Sequence, residues 1–262
     1  MIQSDAMLGN VLFTQSIDEK IGSLESQVQR ALTGELFSIP ECPARDIEVW
    51  QKGRHPAKKG LSFVEGQARL LHDIANIELQ AMELALRTLC EYPDADPIFR
   101  EQLAVLTLSE GQHLKMCVQG LRGLGYEWGH WPIHMALWNA VDTADSLIDR
   151  IFIVHRYLEG SGLDSGKSLI ERFSQIPPNK TVEIMKVISD EELEHVQFGS
   201  FWYREFCAQQ KLDADHKFKQ LLQDLLPRLP RRMEPVNSEL RRQAHFNESE
   251  IQNLIQLREV LL

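Results

Sequence analysis

Cysteine is scarce and scattered. Cys42, Cys90, Cys117 and Cys207 are the four cysteines among 262 residues, and no two stand as Cys-x-x-Cys. That argues against a disulfide framework and fits reduced thiols in a cytoplasmic protein, with Cys90 and Cys117 expected on packed helices. Long apolar runs are missing as well. No stretch approaches roughly 18 uninterrupted apolar residues, so no membrane partner is expected. The opening MIQSDAMLGNVLFTQSIDEK has neither a basic start nor an apolar core, so no signal peptide is expected. The closing EVLL carries no lipidation signal. There is no Gly-rich phosphate loop, no Gly-x-Ser-x-Gly and no nucleophile triad. Positive charge is in deficit, with 28 Lys and Arg against 38 Asp and Glu, a net charge of −10. A nucleic-acid partner, whose affinity would come from phosphate neutralisation, is therefore not expected.

What remains is ordinary globular material, 43% hydrophobic and 25% charged. It is enough to bury a full core without staples. The chain reads as helices punctuated by Pro and Gly. Ser16 and Glu19 form a capping box, and Ile17, Ile21, Leu24, Val28 and Leu32 follow as one apolar stripe, stopped by Gly34. The segment 36–61 holds Pro40, Pro43 and Pro56 without periodicity and is expected to wrap over a helical bundle. Ser62 and Glu65 suggest a second capping box, opening a helix to about Glu91. Asp96-Pro97 opens the next helix, which should stop near Gly120–Gly125. GYEWGHWPIH reads as an aromatic loop. A third long helix is expected over Met135–Glu159, interrupted by Gly160-Ser161-Gly162, with a short helical piece before Pro177-Pro178. A fourth runs over Thr181–Gln209. Shorter helices are expected over Asp213–Leu226 and after Asn247. No alternating run reads as a strand. The expected fold is all-α, a four-helix bundle with an N-terminal helix and long arm and extra C-terminal helices. Its parts are residues 1–61, 62–210 and 211–262, within one compact domain.

Two of these helices carry Glu-x-x-His: Glu110 with His113, and Glu192 with His195. Residues three apart on a helix point to nearly the same side, so each pair can present a carboxylate and an imidazole to one metal ion. The motif alone is weak, since 24 Glu and 9 His give roughly 0.8 chance instances in a chain of this length. Glu127 with His130, in the aromatic loop, is such an instance. A repeat raises the other two above chance. Glu78 stands 32 residues before Glu110, and Glu159 stands 33 before Glu192. Glu…Glu-x-x-His thus occurs twice, each time on two successive long helices. Four carboxylates and two imidazoles facing inward suit a pair of first-row ions, the arrangement of ferritin-like dimetal carboxylate bundles.

The helix faces favour these residues. Glu78 shares a side with Ile74, Ala81, Met82 and Ala85, whereas Glu83 falls beside Gln80 and Arg87 and reads as surface. Glu110 shares a side with Leu103, Leu106, Leu114 and Cys117, and Glu192 with Met185, Ile188 and Val196. Asp145 and Asp149 are alternatives to Glu159, and Glu191 could reach His195 in place of Glu192. Glu191, His72 and His155 are also candidates to support the ligands. Trp128, Trp131, Trp138 and Trp202 read as packing. Arg228, Arg231, Arg232, Arg241 and Arg242 form a local basic cluster, read first as solvated surface.

The stretches LLHDIANIELQAMELAL, RYLEGSGLD, ISDEELEHVQFGSFWY and ELRRQAHFNESE resemble a ferritin-like family of unknown function, domain-of-unknown-function family 455. The resemblance spans roughly Glu41 to the C-terminus. It implies a ferritin-like bundle with Glu78, Glu110, His113, Glu159, Glu192 and His195 as ligands, and supplies no substrate. Where ferritin-like sites often place Asp just before the Glu of Glu-x-x-His, this chain has Ser109 and Glu191.

The expected cofactor is two metal ions, iron first, with manganese or a mixed iron–manganese pair as alternatives. The expected chemistry is an oxygen-dependent oxidation or hydroxylation, with dioxygen and a small substrate or electron donor as partners, in a monomer or small homo-oligomer. The alternatives are iron oxidation without an organic substrate and a helical module with a vestigial site.

Overall fold

The computed structural model describes residues 9–51, 54–173, 176–177, 179–231 and 234–261. The chain divides into two compact units, Met1–Trp138 and Asn139–Leu262. Among the described residues all regular structure is helical and no strand forms. Val49 and Ile133 make an isolated parallel bridge. No helix among those residues is long and apolar enough to cross a membrane.

The first unit is built on three helices. A 3-10 turn, Val11–Phe13, precedes α1 (Ile17–Leu32). The Ser16 hydroxyl accepts from the Glu19 backbone N–H, as its sequence suggests, and Gly34 leaves the helix at φ 91°. α2 spans Val64–Glu91 and α3 Pro97–Gly123. Asp96 caps α3 by accepting from the Ile98 and Phe99 backbones, with Pro97 preset for the first turn. The expected Ser62 box does not form. The N-cap falls one residue later, on Phe63, and has no side-chain cap bond. The chain turns back through a Phe63 N–H to Gly60 carbonyl bond, and the Gln67 amide donates to the Leu61 carbonyl. The backbone of this turn packs against Gly66 so closely that a Cβ there would overlap the Gly60 carbonyl.

α2 and α3 pack along their lengths, with Leu71, Leu79, Met82, Leu86, Leu103, Leu114 and Leu121 between them and their neighbours. α1 lies on α3 where Gly111 leaves no room between it and Leu24. The segment 35–63 crosses this unit, tied by Ala44 N–H to the Leu12 carbonyl and by Trp50 and Ile133 through backbone bonds.

This covering overturns the expectation that Glu83 faces water. Glu83 is fully buried, and its carboxylate receives Lys20 from α1 at 2.8 Å and Arg45 from the arm at 2.7 Å. Gln80 and Arg87 beside it are buried too. Glu83 does lie on the side of α2 away from Glu78, but α1 and the arm cover that side.

A 3-10 turn, Trp138–Ala140, begins at the last residue of the first unit. In the second unit, α4 (Leu147–Ile151) opens with a reciprocal Ser146–Asp149 capping box. A π-helical segment, Phe152–Leu158, and α5 (Glu159–Phe173) continue it directly. The third long helix therefore starts later than expected and runs through Gly160-Ser161-Gly162. Gly160 is not a breaker there. It makes room for the Arg241 guanidinium, which a Cβ would overlap. α6 (Lys180–Gln209) packs on both the π segment and α5. α7 (Ala214–Leu225), α8 (Ser238–Gln243) and α9 (Glu248–Leu261) complete the unit.

The C-terminal arginines are largely structural. Arg241 is fully buried and pairs with Asp164 at 2.6 Å, and Arg228 pairs with Asp145. Arg242 is exposed beside Glu248 at 2.6 Å. Arg232 and Pro178 lie outside the described residues.

Candidate metal centre

In the first unit, helix geometry brings Glu78 of α2 against Glu110 and His113 of α3. The His113 Nδ1 lies 3.3 Å from a Glu78 oxygen and 3.7 Å from a Glu110 oxygen. Glu110 and His113 are fully buried and Glu78 is 4% exposed. The apolar residues predicted beside them, Met82, Ala85, Leu103, Leu106, Leu114 and Cys117, are buried around them. Two carboxylates in such a core are costly unless charge or metal compensates them. Burial, reinforced by the Glu110 charge, pushes Glu78 up to about 8 despite the opposing pull of His113. Burial alone would lower His113, but the hydrogen bonds and charges of Glu110 and Glu78 overcome it and push it up to about 12. The trio thus holds protons at neutral pH that a bound cation would displace. The Cys117 thiol nearby is driven well above its usual value by burial, so it is protonated at neutral pH.

In the second unit, Glu192 and His195 sit one turn apart on α6, with His195 Nδ1 4.0 Å from Glu192 Oε1. Their predicted companions Met185, Ile188 and Val196 are buried. Glu159 is 8% exposed at the start of α5. Its carboxylate oxygens lie 2.8 and 2.9 Å from Nδ1 of His155, one turn back in the π segment. Two close approaches fix the antiparallel register of α6 on this helix: Gly199 against the His155 backbone, and Gly162 near the Glu192 carboxylate. That register sets Glu159 level with His195, as Glu78 is level with His113 in the first unit. Each unit therefore holds one Glu beside a Glu-x-x-His helix, the same arrangement twice. Glu110 with His113, and Glu192 with His195, are donor pairs that could hold a metal ion.

The alternatives are otherwise engaged. Asp149 caps α4 and lies 3.5 Å from Lys217, and Asp145 pairs with Arg228. Glu191 is on the exposed side of α6. His72 is fully buried but away from the carboxylates. Its ring stacks on Trp128 at 4.9 Å and meets the edge of Trp131 at 5.5 Å. Burial holds it down to about 4. Glu127, the discounted motif residue, is exposed and pairs with Arg122 at 3.1 Å. Of the residues suggested as supporting the ligands, His155 contacts the candidate ligand Glu159. The sequence signal of this contact is the i, i+4 spacing of the two residues.

The molecule is thus an all-helical protein with a pair of buried glutamate–histidine sets. Its chain belongs to the family described as "Protein of unknown function (DUF455)", whose model matches residues 13–252. It is similar to an "Uncharacterized protein" of Haemophilus influenzae, 30% identical over 212 residues, which cover 78% of this chain and 73% of the relative. No solved structure matches it.

Proposed function

We propose that the two sets are halves of one ferritin-like dimetal centre, in which Glu78, Glu110, His113, Glu159, Glu192 and His195 hold two ions. Iron is the first choice, and manganese or a mixed pair the alternative. The observation that carries this reading is the repetition, in each unit, of a buried Glu level with the His of a Glu-x-x-His helix. The donor chemistry fits: carboxylate oxygens and imidazole nitrogens suit first-row ions, and four carboxylates offset the charge of two divalent cations. A bound iron pair would supply redox chemistry with dioxygen. Glu78 and His113 carry protons that leave on loading. Leu103, Leu106, Leu114, Met82 and Ile188 keep bulk water from the carboxylates. The reaction class is an oxygen-dependent oxidation of a small substrate.

Metal analysis of protein purified without chelator tests this, followed by anaerobic Fe(II) loading and exposure to oxygen. The expected content is about two ions per chain. Glu110→Ala and Glu192→Ala are expected to lower it sharply. Wild-type protein that stays metal-free after Fe(II), Mn(II) and Zn(II) loading would overturn the reading. Oxygen consumption without an oxidised organic product in cell extract would point to iron oxidation alone.

A further inference from the structure

The two halves differ one turn before the first Glu of each. Four residues before Glu78 stands Ile74; four before Glu159 stands His155. Glu78 lies against the other groups of its own set, His113 and Glu110. Glu159 meets an imidazole that belongs to no Glu-x-x-His pair and whose Nδ1 reaches both of its oxygens.

His155 is itself held firmly. It is fully buried, and the edge of its ring meets Phe198 at 5.2 Å. Its Cβ and backbone press on Gly199, where any other residue would overlap it. It lies within the π-helical segment, which ends one residue before Glu159. Its Nε2 is buried with no hydrogen-bond partner, which is costly for a polar group. An aliphatic residue, such as the Ile74 of the other half, would avoid that cost. The imidazole is therefore explained by what its other nitrogen does, which is to donate to Glu159.

We infer that His155 is a positioning residue for Glu159 and that it makes the two metal positions unequal, the second unit's half binding its ion first. This rests on the dimetal reading above. A carboxylate already fixed by a donated hydrogen bond loses less freedom on binding a cation than one that must leave its neighbours. Hydrogen-bond partners of metal ligands typically change affinity 10–100-fold when removed. Glu78 and its neighbours have to rearrange among themselves, so that half fills second.

Anaerobic Mn(II) titration of the whole chain, followed by electron paramagnetic resonance and equilibrium dialysis, tests the inference. Wild type is expected to bind in two resolved steps, with the signal of an isolated Mn(II) at one equivalent and a coupled pair at two. His155→Leu is expected to weaken the first step 10–100-fold and merge the steps. His155→Asn, whose amide N–H falls where Nδ1 stands, is expected to restore most of the first-step affinity. His155→Gln, whose amide lies a bond further out, is not. Circular dichroism checks folding, and if the Leu variant does not fold, the Asn–Gln contrast decides. Two equal steps in wild type, or a first step that the Asn and Gln variants leave alike, overturns the role of His155 while leaving the centre intact. Wild type that binds no Mn(II), Fe(II) or Zn(II) overturns the centre itself.

Discussion

The Lys20 ammonium lies 2.8 Å from a Glu83 oxygen, and neither side chain has any exposed surface. Arg45, nearly as buried, closes the other side of the carboxylate. Two cations on one buried anion make Glu83 the group that neutralises the joint between α1, the arm and α2. Removing one partner of a buried pair leaves uncompensated charge, typically a loss of about 3–5 kcal/mol. Glu83→Ala is therefore expected to lower unfolding free energy by about that amount in urea titrations. Metal content per folded molecule should be unchanged, because Glu83 lies on the opposite side of α2 from Glu78. A loss within 0.5 kcal/mol would mean the joint is wet in solution.

Glu83 also marks where the sequence became illegible. The 3.6-residue period put Glu78 on the core side and Glu83 on the other, and both placements hold. The period of one helix does not reveal that a second helix and a proline-containing segment cover its polar face. Isolated charges, Lys20 and Arg45, were the only trace of that joint, and nothing in their local sequence links them to residue 83. Helices with explicit starts, at Ser16 and Asp96, were legible because capping is local chemistry. The run through Gly160-Ser161-Gly162 was not, because the reason for Gly160 is an arginine 81 residues further along. The ligand candidates were legible through repetition. His155 was legible as a candidate beside Glu159, but its approach to both carboxylate oxygens was not, since one histidine four residues before a glutamate is common on any helix.

His72 supplies a pH test in the first unit. Burial depresses its pKa from 6.5 to about 4, with Asp73 raising it and Arg69, His130 and His55 lowering it further. The unfolded chain therefore takes up a proton before the folded one does. The stability this group contributes is fully present above about pH 6.5 and is lost as pH falls toward 4. His72→Phe keeps the ring against Trp128 and removes the titration. Between pH 7 and 4.5, wild type is expected to lose about 2–3 kcal/mol more than the Phe variant in denaturant titrations. Parallel losses in the two proteins would mean that water reaches the ring.

Loading the first unit's trio should release protons. Glu78, near 8, and His113, near 12, hold protons at pH 7 that compete with a cation for the same atoms. Apparent affinity for Fe(II) or Mn(II) is therefore expected to rise as pH increases from 6 to 8. Calorimetry in buffers of different ionisation enthalpy should show more than one proton released per chain at pH 7. Glu78→Gln should reduce both the proton release and the metal bound. Pairing of the carboxylates with some other cation in solution would leave binding enthalpy independent of buffer.

Glycine-to-alanine substitutions separate helix propensity from packing, and two positions should respond with opposite signs. Gly22 lies inside α1 with nothing within 4 Å of where a Cβ would stand. Alanine there limits the unfolded chain and suits the helix, so Gly22→Ala is expected to stabilise by about 0.5–1 kcal/mol. Gly199 lies inside α6 with the His155 Cβ and backbone directly against it. These are main-chain and Cβ atoms that cannot swing aside, so a methyl group must push α6 away from the π segment. Overpacking of this kind costs typically about 1–3 kcal/mol. The same displacement would move Glu192 and His195 relative to Glu159, so Gly199→Ala should also weaken the first metal-binding step, which Gly22→Ala should leave alone. Thermal unfolding of the metal-free proteins together with Mn(II) dialysis reads both effects, and a Gly199→Ala protein as stable as wild type would show that the two helices are not in contact at this point.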